Sequence, residues 1–494
     1  MKVFIGTDIG TTGIRAGVYN EEFVLMGSGN GKSIIRRGDY GELIQGPDEI
    51  YSETAKAVKE AIQNSKVNKE SIAGLSFDGQ MAGIMGIDDN WKAVTPYDSW
   101  LDTRCSSQVK KIKEKADKLV IEKTGNIPSF NHGPKILWWK ENEKDVFRRV
   151  KSFIQPNAYV AGRLCRLKGK DAFIDWTYLH FSGFANNREL KWDDELTGIF
   201  AVPCDLLPMI VSPLSIIGYT DKKEAHLFNV PAGIPVAAGC GDTASCFLGT
   251  GALEDGIAVD VAGTASVFAL TIDQFIKDFE GLVYSARSVV EDMWYSMSYI
   301  NGGGLNLEWF KNNFVSSKSF DELNNSIEEI EPGSDGLVFI PHLEGRAYPN
   351  NPNIKGQWKG FTRDHTLAHF YRSIFEGIGY EYALYKKRIM SNLKKAFIYN
   401  VRVVGGGAKS DVWNQIKADI LGSKYCTINR EDISILGQAL IAASSIGFIK
   451  DIKETVKNII SEEKIFYPDE KKHRIYSDYV KKYKSMLDEY KNSK

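Results

Sequence analysis

A short pattern that occurs twice, about 250 residues apart, constrains the fold more than any other feature of the sequence. Near the start, the apolar run Val3 to Ile9 leads into the tight turn Gly10–Gly13, and a second strand-like run, Ile14 to Tyr19, follows. Val259 to Ala262 leads in the same way into Gly263-Thr264. A strand, a tight turn and a returning strand form a β-hairpin, so the repeat predicts a duplicated domain.

The length and the order of the elements agree with two domains. A chain of 494 residues exceeds what one hydrophobic core usually supports. Strand-like and helix-like segments alternate, with apolar residues at helical spacing between Pro47 and Ser65, which favours the α/β class. We expect domains at residues 1–248 and 249–494, and a surface helix at residues 471–494.

Composition excludes several classes of protein. The 62 basic and 63 acidic residues nearly cancel, so nothing indicates nucleic acid or an anionic membrane as a partner. The six cysteines contain no CxxC, which argues against a disulfide framework and a zinc site. The first residues enter a strand-like run without an apolar signal core, and we expect a soluble, cytoplasmic protein. A homodimer is the default expectation for its assembly.

One glycine-rich segment imitates a nucleotide-binding P-loop. Gly27–Ser33 ends in Gly-Lys-Ser, but Met26 stands where the P-loop pattern requires its first glycine. We expect a hairpin turn in this segment, whereas a P-loop joins a strand to a helix. Phosphate binding is therefore expected elsewhere.

The turn Gly10–Thr12 is a better candidate for phosphate binding. Its glycine lets the backbone approach an anion, and consecutive amides with threonine hydroxyls supply donors. Asp8 just before the turn could hold Mg²⁺ through water, and Arg15 could reach a phosphate. The competing interpretation is a plain tight turn, which the second Gly-Thr turn makes less attractive.

Two further segments can each be interpreted as a structural feature or as part of a functional site. Asp242 follows an apolar run and opens a predicted helix, where it could be an N-cap or a general base. The glycines at 405–407 lie between a predicted strand, Val401 to Val404, and a predicted helix, Val412 to Leu421. Such a turn suits a nucleotide, although glycine-rich turns are common punctuation.

Together these segments resemble the FGGY family of carbohydrate kinases over nearly the whole chain. The residues that carry the resemblance are Asp8–Thr12, Tyr40–Pro47, Gln80–Gly83, Trp100–Arg104, the first signature at Phe130–Asn142 (with Lys135, Trp138, Glu141 and Asn142), and the second at Gly356–Glu376 (with Gly360, His369, Ser373 and Glu376). His132, Trp139 and Phe361 depart from the two signatures.

The resemblance implies two RNase H-like domains of the actin and hexokinase type with a cleft between them. It implies that the first domain holds the sugar and the second holds ATP, and that Mg²⁺ assists. Asp242 would be the catalytic base and, with Asp8, a metal-associated carboxylate. The implied sugar contacts are Gln80, Met81, Ala82, Trp100, Asp102, His132 and Asp242. The implied ATP and phosphate contacts are Gly10, Thr11, Thr12, Arg15, Gly263, Thr264, Gly303, Gly406, Gly407 and Asn414.

The substrate is where the sequence leaves alternatives open. Glycerol kinases of the family carry an Arg-Glu pair where this chain has Met81 and Ala82, and xylulokinases usually carry Met-His. We therefore expect a xylulokinase-like enzyme, with His132 as a substitute imidazole. Gluconate, ribulose, a ketohexose or a polyol remain alternatives, as does a sugar-sensing regulator without activity. An acidic substrate would need nearby cations, for which only Arg104 and Lys135 stand close in the sequence.

Overall fold

The structure is a computed structural model that describes residues 1–394 and 400–492. The chain forms two compact units. The first contains Met1–Leu253, Ser285–Trp294 and Asp432–Ile459, and the second contains Glu254–Tyr284, Tyr295–Glu431 and Ile460–Lys494. The expected division at residues 248 and 249 stays a prediction, because both units draw on more than one stretch of the chain.

Short strands and helices alternate through the first 253 residues. The strands are β1 (Val3–Ile9), β2 (Gly13–Tyr19), β3 (Leu25–Lys32), β4 (Arg36–Arg37), β5 (Leu43–Gln45), β6 (Ile72–Gly79), β7 (Met85–Ile87), β8 (Tyr97–Asp98), β9 (Ser152–Ile154), β10 (Phe173–Asp175), β11 (Ala185–Asn186), β12 (Lys191–Trp192), β13 (Met209–Val211), β14 (Ile216–Tyr219), β15 (Pro235–Ala237) and β16 (Cys240–Gly241). The helices are α1 (Pro47–Ser65), α2 (Ser106–Thr124), α3 (His132–Asn142), α4 (Lys144–Phe147), α5 (Pro156–Leu164), α6 (Asp194–Phe200), α7 (Lys222–Phe228) and α8 (Asp242–Gly249).

The remaining residues contain longer helices. The strands are β17 (Ile257–Ala262), β18 (Ser266–Ile272), β19 (Tyr284–Arg287), β20 (Trp294–Ile300), β21 (Val338–Ile340), β22 (Gln357–Lys359), β23 (Asn400–Val404), β24 (Lys424–Ile428) and β25 (Glu462–Phe466). The helices are α9 (Gly303–Phe314), α10 (Phe320–Asn325), α11 (Leu367–Leu393), α12 (Asp411–Leu421), α13 (Ile433–Ser445), α14 (Ile452–Ile459) and α15 (Glu470–Asn492).

The two large sheets share one topology, as the repeated turn predicted. The first sheet contains the strand order β3-β2-β1-β6-β15-β14, and the second contains β20-β18-β17-β23-β24-β25. In each, the opening hairpin is antiparallel and its first strand pairs in parallel with a later strand, β6 or β23. The last pair of each order is antiparallel. Tight turns therefore follow β1 and β17 at equivalent places.

The glycine-rich segment after Leu25 is a strand, so the expected hairpin turn was wrong while the rejection of a P-loop holds. Its glycines face α1, which lies directly on β3. A Cβ on Gly29 would come within 2.2 Å of the backbone oxygen of Ala57, and one on Gly31 within 2.4 Å of that of Glu53. Only glycine at these positions lets the helix approach so closely.

Helix α13 belongs to the first unit although it lies far along the chain. It packs on β1, β6 and α8. A Cβ on Gly6 would come within 2.0 Å of the backbone oxygen of Ile435, and one on Gly249 within 2.0 Å of that of Ile433. The helix therefore closes one face of the first sheet at nearly the smallest separation that backbones allow.

The predicted C-terminal surface helix is α15, and one of its faces is buried. Tyr476 donates a hydrogen bond to Glu376 Oε1 at 3.0 Å, and Tyr483 donates to Glu381 Oε1 at 2.7 Å. Both glutamates lie on α11 and are fully buried, and Arg372 pairs with Glu376. Glu376 of the second signature thus holds helices together in the second unit. Among the described residues, no helix is long and apolar enough to cross a membrane.

Candidate active site

The turn Gly10–Thr12 closes the hairpin of β1 and β2 in the first unit. The Gly10 amide donates to the Gly13 carbonyl at 3.1 Å, and Asp8 stands opposite Arg15 across the two strands. Arg15 Nη2 lies 2.9 Å from Asp8 Oδ2. The Asp8 side chain is only 8% exposed, whereas that of Arg15 is 58% exposed. The arginine can therefore move toward a ligand, whereas Asp8 is fixed at the base of the turn.

Two predicted sugar contacts are bonded to this turn. Trp100 Nε1 donates to Thr11 Oγ1 at 3.0 Å, and Thr11 Oγ1 donates to Gln80 Oε1 at 3.2 Å. Gln80 Nε2 also points to the Gly10 carbonyl at 3.4 Å. The structure thus brings Gly10, Thr11, Gln80 and Trp100 together, although the sequence placed them in two different sites.

Asp242 is the first residue of α8. The N-cap position is occupied by Gly241, so the interpretation of Asp242 as an N-cap is wrong. Asp242 Oδ1 accepts hydrogen bonds from the Thr243 amide at 2.6 Å and the Thr243 hydroxyl at 3.1 Å. Burial and the nearby charge of Asp8 raise the pKa of Asp242 to about 7. A carboxylate with such a pKa can accept and release a proton near neutral pH.

Asp78, which is not among the predicted site residues, is a third carboxylate near Asp8 and Asp242. It lies in β6, and its Oδ1 accepts from the Ile9 amide at 3.0 Å. Its Oδ2 is buried without a hydrogen-bond partner in the described part of the chain. Burial raises the pKa of Asp78 well above its usual value, and the charges of Asp8 and Asp242 raise it further. The signal that could have found it is a carboxylate directly after the apolar run Gly74 to Phe77 in the sequence.

The loop predicted to hold the sugar follows β6 and lies close to Asp242. A Cβ on Gly241 would come within 2.0 Å of Met81 Sδ, so Met81 packs against the residue just before Asp242. Ala82 has a left-handed backbone, with φ of 59°. Met81 and Ala82 are both partly exposed. Their side chains are therefore accessible beside the candidate base.

Both carboxylate oxygens of Asp102 already accept hydrogen bonds from the protein. Its Oδ2 accepts from the Leu43 amide at 2.9 Å, and its Oδ1 accepts from the Arg104 amide at 3.0 Å. The Arg104 guanidinium is bonded to Asp102, Asp98 and Glu42 at 2.8–2.9 Å. Lys135 Nζ is buried and donates to the Asp102 and Phe130 carbonyls. These residues form a braced turn and do not present unpaired charges.

His132 begins α3 and is buried in the core of the first unit. Burial lowers its pKa to about 3, so the imidazole is neutral. Its Nε2 and Gln155 Oε1 have no partner among the described residues, and both side chains line one cavity of about 10 Å³. A cavity of this size has room for about one water molecule. The His132 imidazole therefore lines a small enclosed cavity within the first unit.

In the second unit, three of the predicted phosphate contacts lie together. The Gly304 amide at the start of α9 donates to the Gly263 carbonyl at 2.8 Å, and the next amide donates to the Thr264 carbonyl at 3.2 Å. A Cβ on Gly303 would come within 1.8 Å of Ser266 Oγ. Gly303 and Gly304 therefore begin α9, which packs on the turn after β17.

The glycine-rich turn after β23 reaches the same place. A Cβ on Gly407 would come within 2.7 Å of Ala262 Cβ, while the space beside Gly406 is open. Asn414 is fully buried on α12, and its Nδ2 donates to the Ala408 carbonyl at 2.8 Å. Asn414 thus braces the turn, and its Oδ1 has no partner in residues 1–394 and 400–492.

A buried ion pair below these turns was missed by the sequence analysis. Asp260 in β17 pairs with Lys417 on α12, and both side chains are fully buried. Tyr382 also donates to Asp260 at 2.8 Å, and the Lys417 ammonium lies 4.3 Å from the Trp413 ring centre. The pair joins the strand that leads to Gly263 with the helix that braces the glycine-rich turn.

Comparisons with known proteins identify the family of the chain. Residues 3–249 match the N-terminal domain model, and residues 258–446 the C-terminal domain model, of the FGGY family of carbohydrate kinases. A xylulose kinase of Bacillus subtilis (strain 168) is 28% identical, covering 100% of this chain and 96% of its own. A gluconokinase of Bacillus licheniformis is 26% identical, covering 96% and 93%. A ligand-bound xylulose kinase structure from Lactobacillus acidophilus superposes with a TM-score of 0.93 at 22% identity, covering 100% and 99%.

Proposed function

Because the chain belongs to the FGGY family of carbohydrate kinases, we propose that it transfers the γ-phosphate of ATP to a hydroxyl of a neutral ketopentose such as xylulose. The observation that carries the proposal is Asp242. It opens α8 beside Met81, its Oδ1 is held by Thr243, and its pKa is raised to about 7. A base whose pKa lies near the working pH combines the correct charge with an adequate driving force for proton transfer.

The chemistry follows from the charges. A sugar hydroxyl is a weak nucleophile, and the phosphate oxygens repel it. Donors on the turn Gly10–Thr12, together with Arg15, would neutralise and position the terminal phosphate. Asp242 would orient the sugar hydroxyl and accept its proton as the oxygen attacks phosphorus. In the second unit, the turns at Gly263-Thr264 and at Gly406-Gly407 would bind the nucleotide.

The residues present fit a Mg²⁺ ion that is held mainly by water and phosphate. Within the described part of the chain, no three His, Cys, Asp or Glu side chains converge to hold a metal ion. Mg²⁺ is usually bound through one or two carboxylates and the substrate phosphates. Asp8 and Asp242 would supply these carboxylates, and the ion would neutralise phosphate charge when bound.

A neutral substrate is favoured over gluconate by the state of two cations. Arg104 is already paired with three carboxylates, and Lys135 is buried against two carbonyl oxygens. Neither can pair with the carboxylate of a sugar acid without abandoning buried partners, which is costly. Because the chain is also similar to a gluconokinase, the test must compare gluconate with neutral sugars.

The proposal is tested by ADP release with Mg-ATP across ketopentoses, ketohexoses, polyols and aldonates, beside Asp242→Ala. We expect turnover on D-xylulose that the variant loses, and little turnover on gluconate. Faster turnover on gluconate than on D-xylulose would refute the proposal of a neutral substrate, but the protein would still be a sugar kinase. Turnover that survives in Asp242→Ala would refute the role of the base.

A further inference from the structure

A chain of hydrogen bonds continues behind the phosphate turn to Gln45 and Ser33, which are not among the predicted site residues. Gln80 Nε2 donates to Gln45 Oε1 at 2.8 Å, and Gln45 Nε2 donates to Ser33 Oγ at 2.6 Å. With the bonds from Trp100 to Thr11 and from Thr11 to Gln80, five side chains form one relay. Gln45 is only 2% exposed and Gln80 only 1%.

The relay has a fixed direction because the Trp100 indole can only donate and the Gly10 carbonyl, which Gln80 Nε2 faces, can only accept. The indole of Trp100 can only donate, so the Thr11 hydroxyl must give its own proton to an acceptor. Gln80 supplies that acceptor only when its amide oxygen faces Thr11. Gln45 Oε1 can only accept, and it therefore holds the Gln80 nitrogen on the opposite side, where it also faces the Gly10 carbonyl. A reversed Gln80 amide would leave buried groups unpaired.

We infer that Gln45 is a positioning residue for the terminal phosphates of ATP, acting through Gln80 on the turn Gly10–Thr12. Gln45 touches neither substrate. It fixes the amide of Gln80, and Gln80 in turn holds the Gly10 carbonyl and the Thr11 hydroxyl, so that the amides of the turn are set before ATP arrives. The inference rests on the proposed function, since it presumes that this turn binds phosphate.

The test measures ATP and AMP affinity by calorimetry on the full chain without any sugar. Gln45→Met removes both hydrogen bonds of the amide and keeps its length. We expect the Kd for ATP to rise about tenfold, which is about 1.4 kcal/mol, and the Kd for AMP, which lacks the terminal phosphates, to stay unchanged. Gln108→Met is the matched control, because Gln108 is 4% exposed and bonded to Glu141 but lies outside the relay.

A double variant separates positioning from packing. If Gln45 acts through Gln80, ATP affinity in Gln45→Met/Gln80→Met will equal that of Gln80→Met alone, because coupled residues are not additive. Gln45→Glu keeps the oxygen that accepts from Gln80, so we expect its ATP affinity within about threefold of the unaltered protein. If Gln45 were needed only for packing, the buried charge of Gln45→Glu would lower ATP affinity more than Gln45→Met does.

The outcomes are distinguishable. Three results would each overturn the inference and leave the proposed function standing. They are unchanged ATP affinity in Gln45→Met, equal losses of affinity for ATP and AMP, and additive losses in the double variant. Failure of the unaltered protein to bind ATP would overturn the proposed function and the inference together.

Discussion

Replacing Asp242 by asparagine should change activity and stability in opposite directions. The substitution keeps the shape and the oxygen that accepts from Thr243, but it removes the proton acceptor. Loss of a general base costs about 10²–10⁴-fold in kcat. The rise of the Asp242 pKa from 3.8 to about 7 corresponds to an upper bound of about 4 kcal/mol, by which the ionised side chain destabilises the fold.

The sign follows from proton binding. Between about pH 4 and pH 7 the folded protein keeps the Asp242 proton while the unfolded chain has lost it, so stability falls as the pH rises through that window. Asparagine does not ionise, so the stability of Asp242→Asn does not fall in this way as the pH rises. At pH 8 the variant should therefore be more stable than the unaltered protein, and at pH 4 the two should be alike.

The assay combines ADP release with chemical denaturation followed at pH 4, 6 and 8. For the unaltered enzyme, kcat should fall as the pH drops below about 7, because the base becomes protonated. A variant that retains kcat would refute the base. A variant that is inactive but no more stable at pH 8 would show that Asp242 ionises without cost, and the reasoning from burial would fail.

Three further experiments test packing and specificity. Gly29→Ala places a Cβ 2.2 Å from the backbone of α1 and should destabilise the fold by about 1–3 kcal/mol, whereas Gly198→Ala, with nothing within 4 Å, should gain up to about 1 kcal/mol, both measured by thermal unfolding. Lys417→Met should cost about 3–5 kcal/mol by leaving Asp260 buried without its partner, and a second change of Asp260 to leucine should recover most of it. Ala82→His should raise kcat/KM for D-xylulose about tenfold if the loop contacts the sugar, and an unchanged value would remove Ala82 from the site.

The sequence predicted those features that depend on neighbours along the chain. The hairpin strands were placed within one residue of their observed ends, because apolar runs around a Gly-Thr turn are a local signal. The repeat of that signal also predicted the shared topology of the two sheets. Family membership followed from motifs spread over the chain, since their order and spacing are specific.

Features that depend on distant partners were not predictable in this way. Helix α13 is mostly apolar, and nothing in its composition shows that it covers β1, more than 400 residues earlier. The glycines of β3 have no side chains to form an alternating pattern, so the strand was taken for a turn. Their reason is the approach of α1, which the sequence does not display.

The candidate site shows the same division. Asp242 and the two Gly-Thr turns carry recognisable chemistry in a few adjacent residues. Gln45 and Asp78 do not, because Gln45 reaches the turn after β1 only through Gln80, and Asp78 accepts from the Ile9 amide at the end of β1. Asp102 illustrates the reverse case, because its type suits a sugar hydroxyl while its oxygens already accept bonds from Leu43 and Arg104.

The place of α13 in the first unit has a consequence for synthesis on the ribosome. Helix α13 begins about 180 residues after Leu253, where the long first stretch of that unit ends. At about 5–20 residues per second, this is a delay of roughly 10–40 s, during which β1 and β6 present an apolar face without its cover. The core of the first unit can therefore be completed only after nearly nine-tenths of the chain has been made.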